Sequence, residues 1–191
     1  MSLTGRKITV GLTGGIACYK IPYLIRSLIH EGCEVRVVMT EAATKFITPL
    51  TLETVSRNPV ATDLFPDQEF VATRHIDMAG WPDLVLIAPA TANFIGKIAS
   101  GISDDLLTTV VCASPRPIMI APAMNTQMWV NPITQQNAGR LREFGYLFIG
   151  PEEGEMAEPG HVGTGRMSEP DQILAAIKTF LKKSKKKSAD R

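Results

Sequence analysis

Two spacings of hydrophobic residues alternate along the chain and predict alternating strands and helices. Lys7–Leu12 and Glu34–Met39 are short, β-branched apolar runs, as expected for buried strands. Between them, residues 16–31 carry apolar positions close to a 3.6-residue period, which predicts a helix with Tyr19 and Tyr23 on its buried side. A strand, glycine-rich turn, helix and strand in this order form a βαβ unit with a parallel pair and a right-handed crossover.

The same alternation continues along most of the chain. The further predicted strands are 83–87, 117–121 and 146–149, and the further predicted helices are 51–57, 91–100, 104–113, 132–144 and 171–181. The glycine- and proline-rich residues 152–169 predict a long ordered loop or flap. The fold class is therefore α/β, a three-layer αβα sandwich with a mainly parallel, Rossmann-like or flavodoxin-like sheet.

Four segments directly follow predicted strands and mark the expected site. They are residues 13–17, 40–46, 88–94 and 121–128. In doubly wound folds ligands bind beyond the carboxyl ends of the strands, so we expect these segments to surround one site.

Length and charge predict one domain over residues 1–181 and a basic tail at 182–191. The tail holds six of the 20 Lys and Arg residues, so residues 1–181 carry 14 basic and 18 acidic groups, a net charge of −4. A mildly acidic body gives no indication of nucleic-acid binding. The tail is expected to be solvated and disordered, with an interaction arm as the alternative.

Cysteine usage and hydropathy indicate in which cellular compartment the protein is expected. The three cysteines are Cys18, Cys33 and Cys112, far apart and in apolar segments, which favours neither a disulfide framework nor a metal site and fits a reducing cytoplasm. No apolar stretch approaches the roughly 20 residues of a membrane span, and no membrane partner is expected.

The turn Thr13-Gly14-Gly15 could bind a phosphate. Glycines allow close backbone approach, and the following helix start offers unpaired N–H groups. The spacing is not that of a dinucleotide fingerprint and a Walker lysine is absent, so a plain strand-to-helix turn remains open.

Three further polar positions have both a structural and a functional interpretation. Thr91 and Asn93 could cap a helix or contact a ligand. Asn125 follows a buried strand between Met124 and Met128, where it could cap a helix or read a carboxylate or a flavin edge.

His75 is the candidate acid–base residue. It lies before a predicted strand, on a segment between elements, while His30 lies near a helix end and is expected to be solvated. A purely structural histidine is the alternative, and His161 is the other competitor.

Five segments, taken in order, resemble one enzyme family. They are GLTGGIACYK (11–20), ATRHIDMAGWPDLVLIAPATAN (72–93), GISDDLLTT (101–109), PAMNTQMW (122–129) and GTGRMSEP (163–170). Their order and spacing are similar to those of the homo-oligomeric flavin-containing cysteine decarboxylases, over about residues 6–181. Members include phosphopantothenoylcysteine decarboxylase and the peptidyl-cysteine decarboxylases of lantibiotic maturation.

The resemblance implies a cofactor, FMN, and a set of site residues. His75 and Asn125 would be catalytic, and residues 151–168 would form a flap over the substrate. The implied FMN contacts are Gly14, Gly15, Ile16, Ala17, Thr40 with Glu41, Thr91, Ala92, Asn93, Phe94 and Ala123, and the implied substrate contacts are Asn125, Met128, Gly165, Arg166 and Met167. It also implies a homo-oligomer, a trimer or a dodecamer.

One departure from the family pattern bears on the reaction. Pro159 stands where many members carry a flap cysteine that serves the second half of the reaction, and His161 or a water could substitute for that cysteine. The implied activity is decarboxylation of a small phosphorylated thiol, phosphopantothenoylcysteine, in coenzyme A synthesis. The alternatives are a peptidyl-cysteine decarboxylase that stops at an enethiol and a flavin-binding subunit without turnover.

Overall fold

A six-stranded parallel sheet forms the centre of the molecule. The computed structural model describes residues 3–65, 74–155 and 161–189. The sheet strands are β1 (Lys7–Leu12), β2 (Glu34–Met39), β3 (Val60–Ala61), β4 (Leu84–Ala90), β5 (Ile118–Pro122) and β6 (Leu147–Phe148), and every neighbouring pair is parallel. Their order, β3-β2-β1-β4-β5-β6, is that of a Rossmann-like sheet, with the change of winding direction between β1 and β4.

Helices cover both faces of this sheet. They are α1 (Ile21–His30), α2 (Pro49–Ser56), α3 (Arg74–Gly80), α4 (Ala92–Ala99), α5 (Leu106–Ala113), α6 (Thr126–Val130), α7 (Pro132–Glu143) and α8 (Pro170–Ala189), with two short 3₁₀ helices at Ile16–Lys20 and Glu41–Lys45. Helices α1, α2 and α8 pack on one face, and α3, α4, α5 and α7 pack on the other. The predicted three-layer α/β sandwich is confirmed.

Both faces of β4 are covered by helices, which explains why the sequences of the central strands are continuous apolar runs. Leu84, Leu86 and Ala88 pack into the layer of α1 and α8, whereas Val85 and Ile87 pack into the layer of α4 and α5. Side chains of a strand alternate between the faces, and both faces are covered here, so no position favours a polar residue.

The glycine-rich segment after β6 forms a second, smaller sheet. Strands β7 (Glu152–Glu155) and β8 (Val162–Arg166) pair antiparallel, so the predicted loop contains a hairpin. We call these two strands the flap hairpin. Pro159 lies between the two strands in the sequence, and it falls within residues 156–160, which are outside the described residues.

Three expectations from the sequence differ from the structure. Tyr19 and Tyr23, predicted to be buried, are exposed. His75 lies on a short helix, α3, rather than between elements. The final helix, predicted over 171–181, has the bounds Pro170–Ala189. Within the described ranges, no helix is both long and apolar enough to cross a bilayer.

Candidate functional site

Three turns meet at the carboxyl edge of the sheet, where the winding direction changes. The turn after β1 contains Gly14 and Gly15, the turn after β4 contains Thr91, and the turn after β5 contains Ala123 to Asn125. Strands β1, β4 and β5 are neighbours in the sheet, so the three turns lie side by side. This is the position at which doubly wound folds bind their ligands.

Thr13 ties the first two turns together. Its side chain is buried, its hydroxyl donates to the Pro89 carbonyl at 2.7 Å, and the same oxygen accepts the backbone N–H of Thr91 at 3.0 Å. The Thr13 backbone N–H also bonds to the Pro89 carbonyl, at 3.3 Å. A buried hydroxyl with both donor and acceptor functions used holds the two turns at a fixed separation.

Gly14 is required by a close approach of the turn after β2. A Cβ atom at this position would lie 2.5 Å from the Cβ of Ala42 and 3.1 Å from its carbonyl carbon. Gly15 instead begins the 3₁₀ helix, and a Cβ there would meet nothing nearer than Thr91 Cγ2 at 3.6 Å. Glycine at position 14 is therefore required for this close approach, and the bare backbone of both Gly14 and Gly15 lines the cavity.

Thr91 both caps α4 and lines the cavity. Its hydroxyl accepts the backbone N–H of Phe94 at 3.3 Å, and its own N–H is held by Thr13. Helix α4 starts at Ala92, so the chain turns away from the cavity there, and Phe94 is packed in the core. Of the two interpretations offered by the sequence, capping is confirmed for Thr91.

Asn125 is the N-cap of α6 and is exposed. Its side-chain oxygen accepts the Gln127 N–H at 2.8 Å. An amide whose oxygen is used in this way still presents its NH₂ group as a donor. Capping and ligand recognition are therefore compatible in Asn125, because they use different atoms of the same amide.

The flap hairpin is docked on the segment that carries Asn125. The N–H of Met124 donates to the carbonyl of Gly165 at 2.9 Å. At Gly163 a Cβ would lie only 2.4 Å from Oγ1 of Thr126, so the hairpin backbone rests directly on α6. The hairpin thus forms one wall of the space above the three turns.

The turns and the hairpin enclose a cavity of about 740 Å³. This volume lies within the usual range for cofactor and substrate pockets. The lining residues are Gly14, Gly15, Ile16, Ala17, Tyr19, Lys20, Thr91, Ala123, Met124, Asn125, Met128, Glu155, Gly165, Arg166 and Met167. Most of the lining that is not backbone is apolar or sulfur-containing, with charges confined to the hairpin and Lys20.

An ion-pair network joins the cavity wall to the start of α8. The Lys20 ammonium donates to Oε1 of Glu169 at 2.8 Å, and the Arg166 guanidinium donates to the same oxygen. Lys20, with Arg166, holds the pKa of the Glu169 carboxyl below its usual range. Glu169 is therefore ionised at neutral pH.

Several residues implied by the family resemblance do not line the cavity of this chain. Thr40 caps the 3₁₀ helix at Glu41–Lys45 by accepting the Ala43 N–H at 3.3 Å. Ala92, Asn93 and Phe94 follow the start of α4 and turn away with it. His75 is half-buried on α3, which packs against α5, and it does not line the cavity either. Any contacts of these residues with a flavin or a substrate stay predictions.

Other lining residues were missed by sequence reasoning. Tyr19 was assigned to a buried helix face, but it is 66% exposed and lines the cavity. Lys20 and Glu155 gave no recognisable signal. In the part of the chain that the structure describes, no group of three or more His, Cys, Asp or Glu side chains is placed to hold a metal ion.

A model of the flavoprotein family matches residues 1–182. The coenzyme A biosynthesis bifunctional protein CoaBC of Vibrio cholerae is 49% identical over 179 residues, which cover 94% of this chain and 45% of that protein. The chain thus spans less than half the length of this curated relative.

Two solved structures have the same architecture. A mutant PPC decarboxylase complexed with pantothenoylaminoethenethiol is 32% identical, with a TM-score of 0.81, over 93% of this chain and 99% of that one. The FMN-dependent cysteine decarboxylase SpaF is 35% identical, with a TM-score of 0.75, over 85% of this chain and 91% of that one.

Proposed function

Because the chain belongs to the flavoprotein family, we propose that it is an FMN-dependent decarboxylase of a cysteine-derived thiol. We propose phosphopantothenoylcysteine as the substrate and phosphopantetheine as the product, which places the reaction in coenzyme A synthesis in the cytoplasm. The observation that carries the proposal is the meeting of a glycine-rich backbone cradle and the Asn125 amide in one cavity. Relatives named for coenzyme A biosynthesis and for PPC decarboxylation support this substrate.

The residues present fit FMN. The first N–H groups of the 3₁₀ helix, at Ile16 and Ala17, have no intrahelical acceptor and suit a phosphate, and Gly15 leaves room beside them. Ala123 and Met124 offer an apolar wall to a flat ring. The volume of about 740 Å³ accommodates a ring system together with part of a substrate.

The chemistry requires an oxidant because the substrate carboxylate has no neighbouring group that accepts electrons. Bound FMN supplies a two-electron acceptor, so that oxidation of the thiol carbon creates an electron sink β to the carboxylate. The Asn125 NH₂ group donates to the carboxylate and orients it for loss of CO₂. The flap hairpin and the Met128 side chain exclude water from the carboxylate, which favours the loss of neutral CO₂.

His75 completes the site from another copy of the chain. The imidazole is required for proton movement in this proposal, but in its own chain it lies on α3, away from the cavity. A homo-oligomer in which α3 of one copy approaches the cavity of the next brings the two together. The proposed assembly is a trimer or a set of trimers.

Mixed oligomers test the activity and the assembly in one experiment. The variant Asn125→Asp keeps a side-chain oxygen to cap α6 but replaces the donor with a negative charge, so it is expected to fold and lose turnover. The variant His75→Asn is expected to be equally inactive. If each site takes Asn125 from one copy and His75 from the next, co-expression of the two variants restores CO₂ release from phosphopantothenoylcysteine.

The outcomes separate the two parts of the proposal. Mixed oligomers that stay inactive would contradict a site shared between copies. Full activity in either variant alone would remove that residue from the mechanism. A wild-type chain that binds FMN and never releases CO₂ would reject the enzymatic proposal itself.

A second candidate is favoured by one observation, the proline at position 159. Many family members carry a cysteine there for the reductive half-reaction, so a decarboxylase that stops at the enethiol is the alternative. The mass of the product after anaerobic turnover distinguishes them, since the enethiol lacks two hydrogen atoms of the saturated thiol. The saturated product is expected.

A further inference from the structure

The proposed reaction consumes one proton, and the cavity must deliver it to carbon. When CO₂ leaves, the electron pair of the broken bond forms the C=C bond of an enethiolate. The carbon that carried the carboxylate then gains a proton, which turns the enethiolate into a thioaldehyde. Because a carboxylate and a proton together give CO₂ and a C–H bond, this proton comes, overall, from solvent. A side chain in contact with both solvent and the cavity is suited to transfer it.

Three of the four ionisable side chains in the described lining are poorly suited to this transfer. Lys20 and Arg166 both donate to Oε1 of Glu169, and an arginine keeps its proton in a protein. Tyr19 carries a phenol, which is a much weaker acid than a carboxylic acid. Glu155 is the fourth, and it supplies the only carboxylate among the described lining residues.

Glu155 is both exposed and part of the cavity lining, so protons from solvent can reach its carboxylate. Among the residues that the structure describes, no hydrogen bond or ion pair occupies this carboxylate. By contrast, Glu152 on the same strand accepts the Ser168 hydroxyl at 2.8 Å, and Glu169 accepts from two cations. The Glu155 carboxylate is therefore available to exchange a proton with solvent and with a bound ligand.

The register of the flap hairpin places Glu155 beside the segment that carries Asn125. Glu155 pairs with Val162. The next residue on β8, Gly163, rests on α6, where an added Cβ would lie 2.4 Å from Thr126 Oγ1. Asn125 directly precedes Thr126 and lines the same cavity as Glu155. In the proposed function Asn125 holds the carboxylate, so Glu155 lies next to the end of the substrate at which the proton is required.

We propose that Glu155 is a catalytic residue of the second half-reaction, the proton donor to the carbon that has lost CO₂; the inference rests on the proposed function. Glu155 takes a proton from solvent and transfers it to this carbon, where a C–H bond forms while the C=C bond becomes C=S. The two electrons accepted by FMN in the first half-reaction then return, with one hydrogen, to the carbon bonded to sulfur. The thiol proton, taken up by His75 before oxidation, returns to the product thiolate.

The variant Glu155→Gln should separate the two half-reactions, because the amide keeps the size of the side chain and removes the acid. Protein loaded with FMN is mixed anaerobically with phosphopantothenoylcysteine. The flavin should bleach, one CO₂ should be released per FMN, and the colour should return about 100-fold more slowly than in the wild type, the lower range for general acid catalysis. The product is expected to be the enethiol, two hydrogen atoms lighter than the saturated thiol. Glu155→Asp keeps the acid and should recover part of the rate.

Glu153→Gln is the matched control. Glu153 lies two residues earlier on β7, is also exposed and does not line the cavity, so this variant removes the same charge from the same strand. Its flavin colour should return at the wild-type rate. In both glutamine variants the affinity for FMN, measured by fluorescence titration, should equal that of the wild type.

Each of the following results would overturn the inference. Colour that returns at the wild-type rate in Glu155→Gln leaves no role for this carboxylate, and equal slowing in Glu153→Gln assigns the effect to the charge of the hairpin. A loss of FMN affinity in Glu155→Gln assigns the residue a structural role, and a loss of bleaching places its action before the release of CO₂. Accumulation of the enethiol by the wild-type protein would mean that Glu155 does not complete the second half-reaction. A protein that takes up FMN and releases no CO₂ would contradict the proposed function instead.

Discussion

The two walls of the cavity are built in different ways. The turns after β1 and β4 continue directly from strands buried on both faces, and the Thr13 hydroxyl bonds them to each other. The flap hairpin is half-exposed and touches the domain through a few contacts, notably the Gly165–Met124 hydrogen bond and the packing of Gly163 on Thr126. The turns are stabilised by the buried strands from which they continue, whereas the hairpin is stabilised by a few local contacts.

Under the proposed function, this difference predicts that the turns bind FMN and the hairpin contacts the substrate. A cofactor that stays bound needs a cradle that does not move, and a substrate that enters and leaves needs a wall that can open. Substitutions in the turns are therefore expected to change FMN affinity, and substitutions in the hairpin are expected to change substrate KM. Three substitutions, two of glycine and one of threonine, test whether the two walls serve different ligands.

The largest effect is expected for Gly14→Ala. The new Cβ would lie 2.5 Å from Ala42 Cβ and close to its backbone, which a side-chain rotation cannot relieve. The turn must shift, and FMN should bind about 100-fold more weakly, the upper range for overpacking. Flavin fluorescence titration measures this.

Gly139→Ala is the matched control for that variant. Gly139 lies in α7, where an added Cβ would have no neighbour within 4 Å outside its own helix backbone, so alanine there should leave FMN affinity unchanged. An unchanged affinity in Gly14→Ala would mean that the turn after β1 does not hold the cofactor.

A smaller effect, on the other ligand, is expected for Gly163→Ala. The new Cβ would approach Thr126 Oγ1 to 2.4 Å and push the hairpin away from α6 and Asn125. Substrate KM should rise about tenfold, with FMN affinity retained. Adding Thr126→Ala removes the clashing hydroxyl and should recover most of the loss; a loss of FMN instead of substrate would abolish the distinction between the walls.

The smallest effect is expected for Thr13→Val, which keeps the shape of the side chain and removes the hydroxyl. The two side-chain hydrogen bonds, to the Pro89 carbonyl and from the Thr91 N–H, are lost while the backbone bond from Thr13 to Pro89 remains, so the two turns are less well held and FMN affinity should fall about fivefold. Thr13→Ser should restore it. Riboflavin, which lacks the phosphate, should show little change; an equal loss for riboflavin would place the effect outside the phosphate cradle.

The sequence predicted most of the sheet because strands covered on both faces are continuous apolar runs between clear turn residues. It failed on Tyr19 and Lys20 for a local reason. Residues 16–20 form a 3₁₀ helix, with about three residues per turn, so a 3.6-residue period extended through them assigns the wrong faces. The charge of Lys20 at the cavity wall was hidden by that error.

Local sequence patterns predicted neither the strands of the hairpin nor the helix that carries His75, for other reasons. The positions of β7 alternate only between half-buried and exposed, those of β8 do not alternate, and the glycines in both strands weaken the signal for a strand. Helix α3, with seven residues, is too short for an apolar period to be read. In the proposed assembly His75 reaches the site from a second copy, and such an arrangement would leave no trace in the sequence of one chain except through resemblance to a family.

The most direct test of the flavin-dependent reaction is an anaerobic absorption experiment on the purified protein loaded with FMN. Mixing with phosphopantothenoylcysteine is expected to bleach the visible flavin absorption as the thiol is oxidised, with recovery of the colour as the saturated product and CO₂ appear. Release of CO₂ without any change in the flavin absorption, or a protein that takes up no FMN, would contradict the claim that the carboxyl edge of this sheet is a flavin-dependent decarboxylation site.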